Sequence, residues 1–216
     1  MSRQATKIAH TQQLLKKHSL ISDQVEVDEL EVILNHLELL LVNGNEGAVV
    51  EFGCFKGTTS LFLGRLLAEF RRFDDLYLYD SFLGLPLKSV QDQSPVGEHF
   101  KQGELSSTKS QLLLNFKKAG LAKPHVTKSW FENLNSGDIP SNIVFAFLDG
   151  DFYSSIRACL NLITPKLASD TIIIVDDYQT EALPGVKKAV DHWVTTHDLA
   201  VLSVKSLAII HVSELR

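Results

Sequence analysis

Apolar and polar positions divide the chain into two kinds of segment. Short, largely apolar runs occupy residues 48–52 (AVVEF), 75–79 (DLYLY), 125–128 (HVTK), 143–148 (IVFAFL), 171–175 (TIIIV), 199–204 (LAVLSV) and 207–212 (LAIIHV). Helical periodicity covers residues 1–20, 26–42, 57–72, 107–119, 153–167 and 183–197. Because apolar strands alternate with helices from residue 48 onward, the pattern predicts a mostly parallel sheet that helices cover on both faces.

The last two predicted strands depart from this alternation. Only Lys205 and Ser206 separate them, which is too short a link for a crossover helix, so we expect them to pair antiparallel. The predicted fold class is therefore α/β, a mostly parallel sheet with a C-terminal antiparallel hairpin. The turn sequence NGNEG at 43–47 divides the chain into an N-terminal helical segment, residues 1–45, packed on a core domain, residues 46–216.

Composition narrows the choice of partners and compartment. The 216 residues carry a net charge of −5, which provides no general attraction for nucleic acid or an anionic membrane. No apolar run approaches the roughly 20 residues that span a bilayer, and the N-terminus lacks the pattern of a signal peptide. Two cysteines make no disulfide framework. We therefore expect a cytoplasmic protein that binds neither nucleic acid nor a membrane.

Acidic side chains gather where predicted strands end. In strand order they are Glu51, Asp80, Asp149 with Asp151, and Asp176 with Asp177. Ligands of open α/β sheets bind at the carboxyl ends of the strands. The pattern therefore predicts one acidic edge and a binding site along it.

The first strand runs into a glycine turn and a helix start, VVEFGCFKGTTS. Gly53 and Gly57 permit tight turns and a close approach of backbone to a ligand, and Thr58 or Thr59 can cap the helix. The spacing is not the dinucleotide fingerprint, since Phe55 and Thr58 stand where that pattern needs glycine. The turn is consistent with a nucleoside cofactor, and equally with any α/β turn that contains two glycines.

Asp80 ends the second predicted strand, where a carboxylate can accept hydrogen bonds from both ribose hydroxyls of a nucleoside. The alternative for Asp80 is a helix or turn cap. After the third strand, Trp130 could stack on adenine while Ser129 or its neighbouring amides bond the ring. Packing in the core is the alternative for Trp130.

Asp149, Asp176 and Asp177 should converge if the fourth and fifth strands are sheet neighbours. Carboxylates at such short distances repel one another, so protons or a cation must neutralise them. Oxygen ligands favour Mg²⁺ or Ca²⁺. Asp151, one residue beyond Gly150, is then the candidate general base for a hydroxyl that the ion activates. Helix capping would explain one acid at each strand end, but not two.

Seven segments resemble one known family and occur in its order between about residue 46 and the C-terminus. They are VVEFGCFKGTTS, YDSFLGLP, VTKSWFENL, FLDGDFYSS, LITPKL, IIIVDDY and PGVKKAVDHW. The chain resembles the macrocin-O-methyltransferase family, S-adenosylmethionine- and Mg²⁺-dependent enzymes that methylate sugar hydroxyls of natural products. The expected sheet resembles that of class I methyltransferases, and the acidic cluster resembles that of catechol O-methyltransferase. The resemblance implies S-adenosylmethionine and Mg²⁺ as cofactors, and a homodimer.

For residues that match the family's motifs, the resemblance implies the roles that these positions have in the family. The resemblance implies cofactor binding by Glu51, Gly53, Asp80, Ser81 and Trp130, metal binding by Asp149, Asp176 and Asp177, and a base at Asp151. To the expected cofactor-binding set we add Gly57, Thr58, Ser60, Ser129 and Asp149. The connection at 94–105 is long enough for a lid, in which His99 or Phe100 could touch substrate; an inactive surface loop is the alternative.

Two departures from the family bear on the acceptor. Leu83 replaces a usual acid in YDSFLGLP, and the N-terminal region is short and poorly matched. The leading hypothesis is an O-methyltransferase acting on a hydroxyl of a small molecule, a sugar or polyol in natural-product biosynthesis. The alternatives are a catechol-like aromatic acceptor, a nucleoside-binding module without catalysis, and an NAD-dependent oxidoreductase, which the glycine spacing disfavours.

Overall fold

The computed structural model describes residues 9–213 and contains a seven-stranded sheet of order β3-β2-β1-β4-β5-β7-β6. The strands are β1 (Ala48–Phe52), β2 (Leu76–Asp80), β3 (His125–Lys128), β4 (Ile143–Leu148), β5 (Leu167–Val175), β6 (Leu202–Val204) and β7 (Leu207–Val212). Neighbours from β3 to β5 are parallel, whereas β7 pairs antiparallel with both β5 and β6. The predicted fold class is confirmed.

Six α-helices accompany the sheet within residues 9–213. They are α1 (Ala9–Lys17), α2 (Val27–Val42), α3 (Thr58–Glu69), α4 (Lys109–Lys118), α5 (Tyr153–Ile163) and α6 (Pro184–Thr196). None of these helices combines the length and the apolar character that a membrane span needs. Of the helical pattern predicted for 1–20, residues 1–8 lie outside the described part of the chain.

Element boundaries differ from the prediction at the end of α5 and at the starts of β5 and β6. Helix α5 ends at Ile163 and not at 167, because Pro165 cannot continue the hydrogen-bond ladder and a 3-10 turn follows. Strand β5 therefore begins at Leu167, earlier than predicted. Strand β6 is confined to Leu202–Val204, so the terminal hairpin is shorter on its outer edge.

Side chains of the sheet alternate between two apolar cores. Val50 and Phe52 of β1 pack in the core beneath α5 and α6, whereas Val49 packs in the core beneath α2 and α3. The N-terminal helices share that second core, into which α1 contributes Leu14 and α2 contributes Leu34. The segment before β1 is therefore packed on the sheet.

The sheet aligns the first residues that follow β4 and β5. Asp149 N–H donates to Phe52 O (2.8 Å), and Asp176 N–H donates to Leu148 O (2.9 Å). The hydrogen-bond ladder thus continues one step beyond the strands. It places both acids at one level along the carboxyl edge.

Candidate active site

A cleft opens at the carboxyl edge of the sheet, and loops after β1, β2, β3, β4 and β5 line it together with the segment between α1 and α2. Seven predicted site residues line the cleft: Gly53, Asp80, Ser81, Trp130, Asp149, Asp151 and Asp177. Six others do not: Glu51, Gly57, Thr58, Ser60, Ser129 and Asp176.

Gly53 brings the turn after β1 against the end of β4. Its φ is +90°, in the region that favours glycine, and a Cβ at this position would lie 1.8 Å from Asp149 O. Any side chain would therefore separate the two loops that form the centre of the cleft. Gly57 (φ +92°) has a different role, since its Cβ would meet Leu112 of α4 and not the cleft.

Asp80 holds the same turn through its carboxylate. Oδ2 accepts hydrogen bonds from Cys54 N–H and Phe55 N–H, both at 2.8 Å, and Oδ1 accepts one from Phe82 N–H at 2.6 Å. Burial raises the pKa of Asp80, although these three donors oppose the change. The carboxylate therefore acts as a turn cap at the wall of the cleft.

The loop after β3 places Trp130 in the cleft and Ser129 outside it. Ser129 N–H donates to Asp80 O (3.0 Å), and its hydroxyl donates to Trp130 O (2.9 Å). Ser81 lines the cleft, and its Oγ accepts a hydrogen bond from Leu83 N–H (3.0 Å). The structure thus assigns Ser129 to holding the loop and Ser81 to a turn beside the ligand space.

Glu51 lies beneath the cleft and not in it. It is 1% exposed, and burial raises the pKa of its carboxyl to about 8, with the charge of Asp80 acting in the same direction. Within the described residues, Glu51 Oε2 and Ser60 Oγ are both buried without a hydrogen-bond partner. Thr58 Oγ1 is bonded to Ser22 Oγ (2.5 Å), so the threonine joins α3 to the N-terminal segment.

Three carboxylates converge in the cleft. One oxygen each from Asp149, Asp151 and Asp177 lies within 4.8 Å of the other two. This set differs from the predicted one in a single member, since Asp151 takes the place of Asp176. Asp176 Oδ1 accepts hydrogen bonds from Asp177 N–H (2.8 Å) and from Ser206 Oγ (3.2 Å), which hold it at the edge of the cluster.

The cluster is buried and its charges repel one another. Burial is the largest cause that raises the pKa values of Asp149 and Asp151, and neighbouring carboxylates raise both further. The pKa of Asp176 is raised to about 7 by burial and then by Asp177, whose own pKa is also raised. The four acids therefore cannot all stay ionised unless a cation neutralises their charge. Without a cation, some of them must bind protons.

The donor set fits a divalent cation. Three carboxylate oxygens are the hard ligands that Mg²⁺ prefers, and the open side of the cleft leaves room for water and a substrate oxygen. The close approach of the three oxygens fits cation binding better than helix capping. Asp151 itself has φ +58°, an uncommon conformation for aspartate that directs the chain from β4 into α5.

Sequence patterns missed part of the wall. Asp23 and Gln24, from the segment between α1 and α2, also line the cleft. The loop after β2 contributes a larger set of apolar residues, Leu85, Pro86, Phe100 and Leu105. Phe100 was one of two candidates in the expected lid; the other, His99, does not line the cleft.

Two curated relatives align with most of the chain. The first is the 8-demethyl-8-(2,3-dimethoxy-alpha-L-rhamnosyl)-tetracenomycin-C 4'-O-methyltransferase of Streptomyces olivaceus, 28% identical over 76% of this chain and 65% of that protein. The second is the demethyldecarbamoylnovobiocin O-methyltransferase of Streptomyces niveus, 27% identical over 82% of this chain and 69% of that protein. The chain thus spans slightly less than two thirds of the first relative's length.

Two solved structures share the fold. The O-methyltransferase NovP superposes with a TM-score of 0.78 at 22% identity, over 88% of this chain and 81% of that one. The O-methyltransferase TomG from Streptomyces achromogenes, in complex with SAM, superposes with a TM-score of 0.60 at 15% identity, over 95% and 88% of the two chains.

A family model decides the classification. The model of macrocin-O-methyltransferase (TylF) matches residues 17–206. This range includes strands β1 to β6 and all the acids that line the cleft, and it ends just before β7. The chain therefore belongs to the macrocin-O-methyltransferase (TylF) family.

Proposed function

We propose that this protein transfers a methyl group from S-adenosylmethionine to a hydroxyl of a small molecule, with Mg²⁺ as a second cofactor. One observation carries the proposal: Gly53, Asp80 and Trp130 line the same cleft as Asp149 and Asp151. A nucleoside subsite and an oxygen-rich subsite thus share one space. In-line transfer between two bound molecules needs such a shared space.

The nucleoside side of the cleft suits the methyl donor. Trp130 offers a ring for adenine, Asp80 a carboxylate for ribose, and Gly53 an approach without a side chain. Glu51 lies beneath this turn with the pKa of its carboxyl raised to about 8, and the positive ammonium of the donor would favour its ionisation. The complex of TomG with SAM supports this choice of cofactor.

Asp149, Asp151 and Asp177 would hold the metal ion, because each offers one oxygen to a common group. When bound, Mg²⁺ supplies a positive charge that lowers the pKa of a nearby hydroxyl. The ion would also offset the repulsion that now raises the pKa values of the carboxyls. The same neutralisation would offset the cost of burying these carboxylates.

The reaction balances with the side chains present. The acceptor oxygen bonds the methyl carbon as the bond from that carbon to sulfur breaks, which leaves S-adenosylhomocysteine. The hydroxyl proton passes to a carboxylate, and Asp151 is the one we propose. It offers one oxygen to the cluster, and its second oxygen is the proton acceptor that we propose. Leu85, Phe100 and Leu105 form an apolar wall that limits water at the reacting atoms.

The negative charge of the cleft limits the classes of acceptor molecule that it can bind. Five aspartates line the cleft, and no lysine, arginine or histidine belongs to the described residues that line it. A phosphate would meet carboxylates there with no basic side chain among the described lining residues to pair with it. We therefore propose a neutral sugar or polyol hydroxyl. The rhamnosyl group in the name of the Streptomyces olivaceus relative supports a sugar and a place in natural-product biosynthesis.

An aromatic acceptor is the second candidate, and the apolar wall favours it. Phe100, Phe131 and Leu105 offer surfaces on which a catechol ring could pack. Two acceptor panels, soluble glycosides and catechols, separate the candidates by release of S-adenosylhomocysteine. Turnover with glycosides and not with catechols supports the sugar; the reverse result selects the aromatic acceptor.

The cofactor claims have their own test. The purified protein is treated with EDTA, and binding of S-adenosylhomocysteine is measured by calorimetry before turnover is measured with and without added Mg²⁺. We expect binding without the metal and turnover only with it. Turnover that EDTA leaves unchanged would contradict the metal proposal. Binding without turnover on any acceptor would favour the nucleoside-binding module.

A further inference from the structure

Asp92 is a buried carboxylate that the proposed reaction does not use. It ends a short 3-10 turn, Val90–Asp92, in the long loop between β2 and α4, and it is 1% exposed. Its Oδ1 accepts a hydrogen bond from Tyr153 N–H at 2.7 Å. Its Oδ2 accepts hydrogen bonds from Ser89 N–H (2.9 Å) and Ser89 Oγ (2.5 Å). One side chain thus joins the loop to the start of α5.

Helix α5 lacks a cap of its own. The residue before its first turn is Phe152, which has no side-chain oxygen to accept from the free N–H groups of the helix. Asp92 supplies that acceptor from 61 positions away in sequence. A negative charge is also favourable at the positive end of a helix.

Helix α6 packs against the same carboxylate. A Cβ at Gly185, in the first turn of α6, would lie 1.8 Å from Asp92 Oδ1. Gly185 does not have the positive φ that would explain a glycine by backbone conformation. The absent side chain therefore makes room for Asp92 between the two helix starts.

The segment that Asp92 holds carries two of the converging acids. Asp149 and Asp151 lie four and two residues before Tyr153, and Asp151 has φ +58°. Phe152 N–H donates to Gly150 O at 2.6 Å, which closes a tight turn between them. A backbone in this uncommon conformation persists only where its surroundings hold it.

We propose that Asp92 is a positioning residue that holds the segment 149–153 and, through it, the carboxylates of Asp149 and Asp151. Its bonds to Ser89 join this segment to the loop whose Leu85 and Phe100 form the apolar wall. The acids and the wall of the acceptor space are thereby set relative to each other by one side chain. The inference for catalysis rests on the proposed methyl transfer; the inference for the backbone does not.

The test compares three variants with the unmodified protein. Asp92→Ala removes the hydrogen-bond acceptor. Gly185→Ala keeps residue 92 as aspartate but adds a methyl group that overlaps the present position of its Oδ1. Ser94→Ala is the matched control, because Ser94 Oγ donates to Glu181 O (2.9 Å) and ties the same loop to the same region without touching α5. All measurements are made well below the melting temperature of each variant.

Hydrogen exchange of residues 149–153 is the first readout. Loss of a helix cap corresponds to about tenfold in an opening equilibrium, so Asp92→Ala and Gly185→Ala should exchange about tenfold faster there. Ser94→Ala should stay within about twofold. Unchanged exchange in both variants would overturn the proposal.

Turnover is the second readout. We expect both variants to lose kcat by about tenfold while the Kd for S-adenosylhomocysteine stays within about twofold. Faster exchange with unchanged kcat would reduce Asp92 to a cap without a role in positioning, and would also overturn the proposal. If the unmodified protein methylates no acceptor, the proposed function fails, and exchange alone decides whether Asp92 holds the acidic segment.

Discussion

The backbone of Gly53 lies against the carbonyl group of Asp149, so closely that a Cβ at Gly53 would lie 1.8 Å from Asp149 O. The two residues follow neighbouring parallel strands, β1 and β4. One belongs to the glycine turn of the proposed nucleoside subsite, and the other belongs to the acidic cluster. Their contact would therefore set the distance between the carboxylates and a methyl donor bound at the proposed subsite.

Gly53→Ala should weaken both the fold and the cofactor site. An L-residue in the left-handed region costs about 1–2 kcal/mol, and the overlap with Asp149 O adds to that cost. We expect a lower melting temperature and weaker binding of S-adenosylhomocysteine by calorimetry. Gly137→Ala is the control, because a Cβ there meets nothing within 4 Å. Equal effects of the two substitutions would show that the approach of Gly53 to Asp149 is unimportant.

Asp151→Asn and Asp176→Asn distinguish the two possible ligand sets. The structure groups Asp151 with Asp149 and Asp177, whereas Asp176 is bonded to Ser206 at the edge. Loss of a ligand should weaken Mn²⁺ binding, measured by electron paramagnetic resonance, more than loss of a residue that only contacts a ligand. Loss of such a contacting residue typically weakens metal binding by about 10- to 100-fold. A larger effect of Asp176→Asn would restore the set predicted from sequence.

Asp80→Asn tests whether this carboxylate serves the turn or the cofactor. A hydrogen bond to a charged group contributes about 1.5–3 kcal/mol, so the Kd for S-adenosylhomocysteine should rise at least about tenfold. Ser107→Ala is the matched control, since Ser107 Oγ donates to Phe55 O (2.6 Å) and holds the same turn from the other side. If both variants lose affinity equally, Asp80 acts only as a turn cap.

The sheet and the row of acids were predictable because both depend on local patterns. Apolar runs set β1 and β4 at the predicted bounds, and parallel pairing then brings the residues after β4 and β5 together. The start of β5 was missed because Pro165 ends α5 early. The amphipathic periodicity continues past Pro165, so a prediction from periodicity extends the helix beyond the point where the proline ends it.

Contacts between distant segments were not predictable. Asp23 and Asp92 have no motif, and each acquires its place from the path of a long loop or of the segment before α2. The position of Asp176 outside the three closely spaced oxygens has a similar cause, because Ser206 reaches Asp176 from the hairpin between β6 and β7. Periodicity locates strands, but it does not locate the loop side chains that decide which oxygen faces the cleft.

Glu51 should make stability depend on pH. Its carboxyl has a pKa of about 8 in the folded protein against an ordinary value of 4.5, so the folded state holds a proton that the unfolded state releases between these values. The contribution of Glu51 to stability is therefore complete below about pH 4.5 and is lost as the pH rises toward 8, by at most about 1.4 kcal/mol per pH unit.

Glu51→Gln removes this dependence while keeping the size of the side chain. The difference in free energy of unfolding, variant minus unmodified protein, should increase from pH 5 to pH 8 and then level off. Urea denaturation in the absence of cofactor and metal measures it. A difference that stays constant across this range would show that Glu51 is not the group whose pKa is raised.

The rate of methyl transfer should depend on the charge of the acceptor. The cleft is lined by five aspartates, and Asp23 stays ionised at its mouth, because a hydrogen bond from Gln24 lowers the pKa of Asp23. The proposed Mg²⁺ and the sulfonium of the proposed methyl donor would offset only part of this charge. A sugar attached to a neutral group should therefore have a kcat/KM at least about tenfold above that of the same sugar on a nucleoside diphosphate. Salt should narrow the gap by screening, and Asp23→Asn should narrow it at low salt. A nucleotide-linked sugar that reacts as well as its neutral counterpart would mean that cations outside the lining residues, and not these carboxylates, set the field at the acceptor.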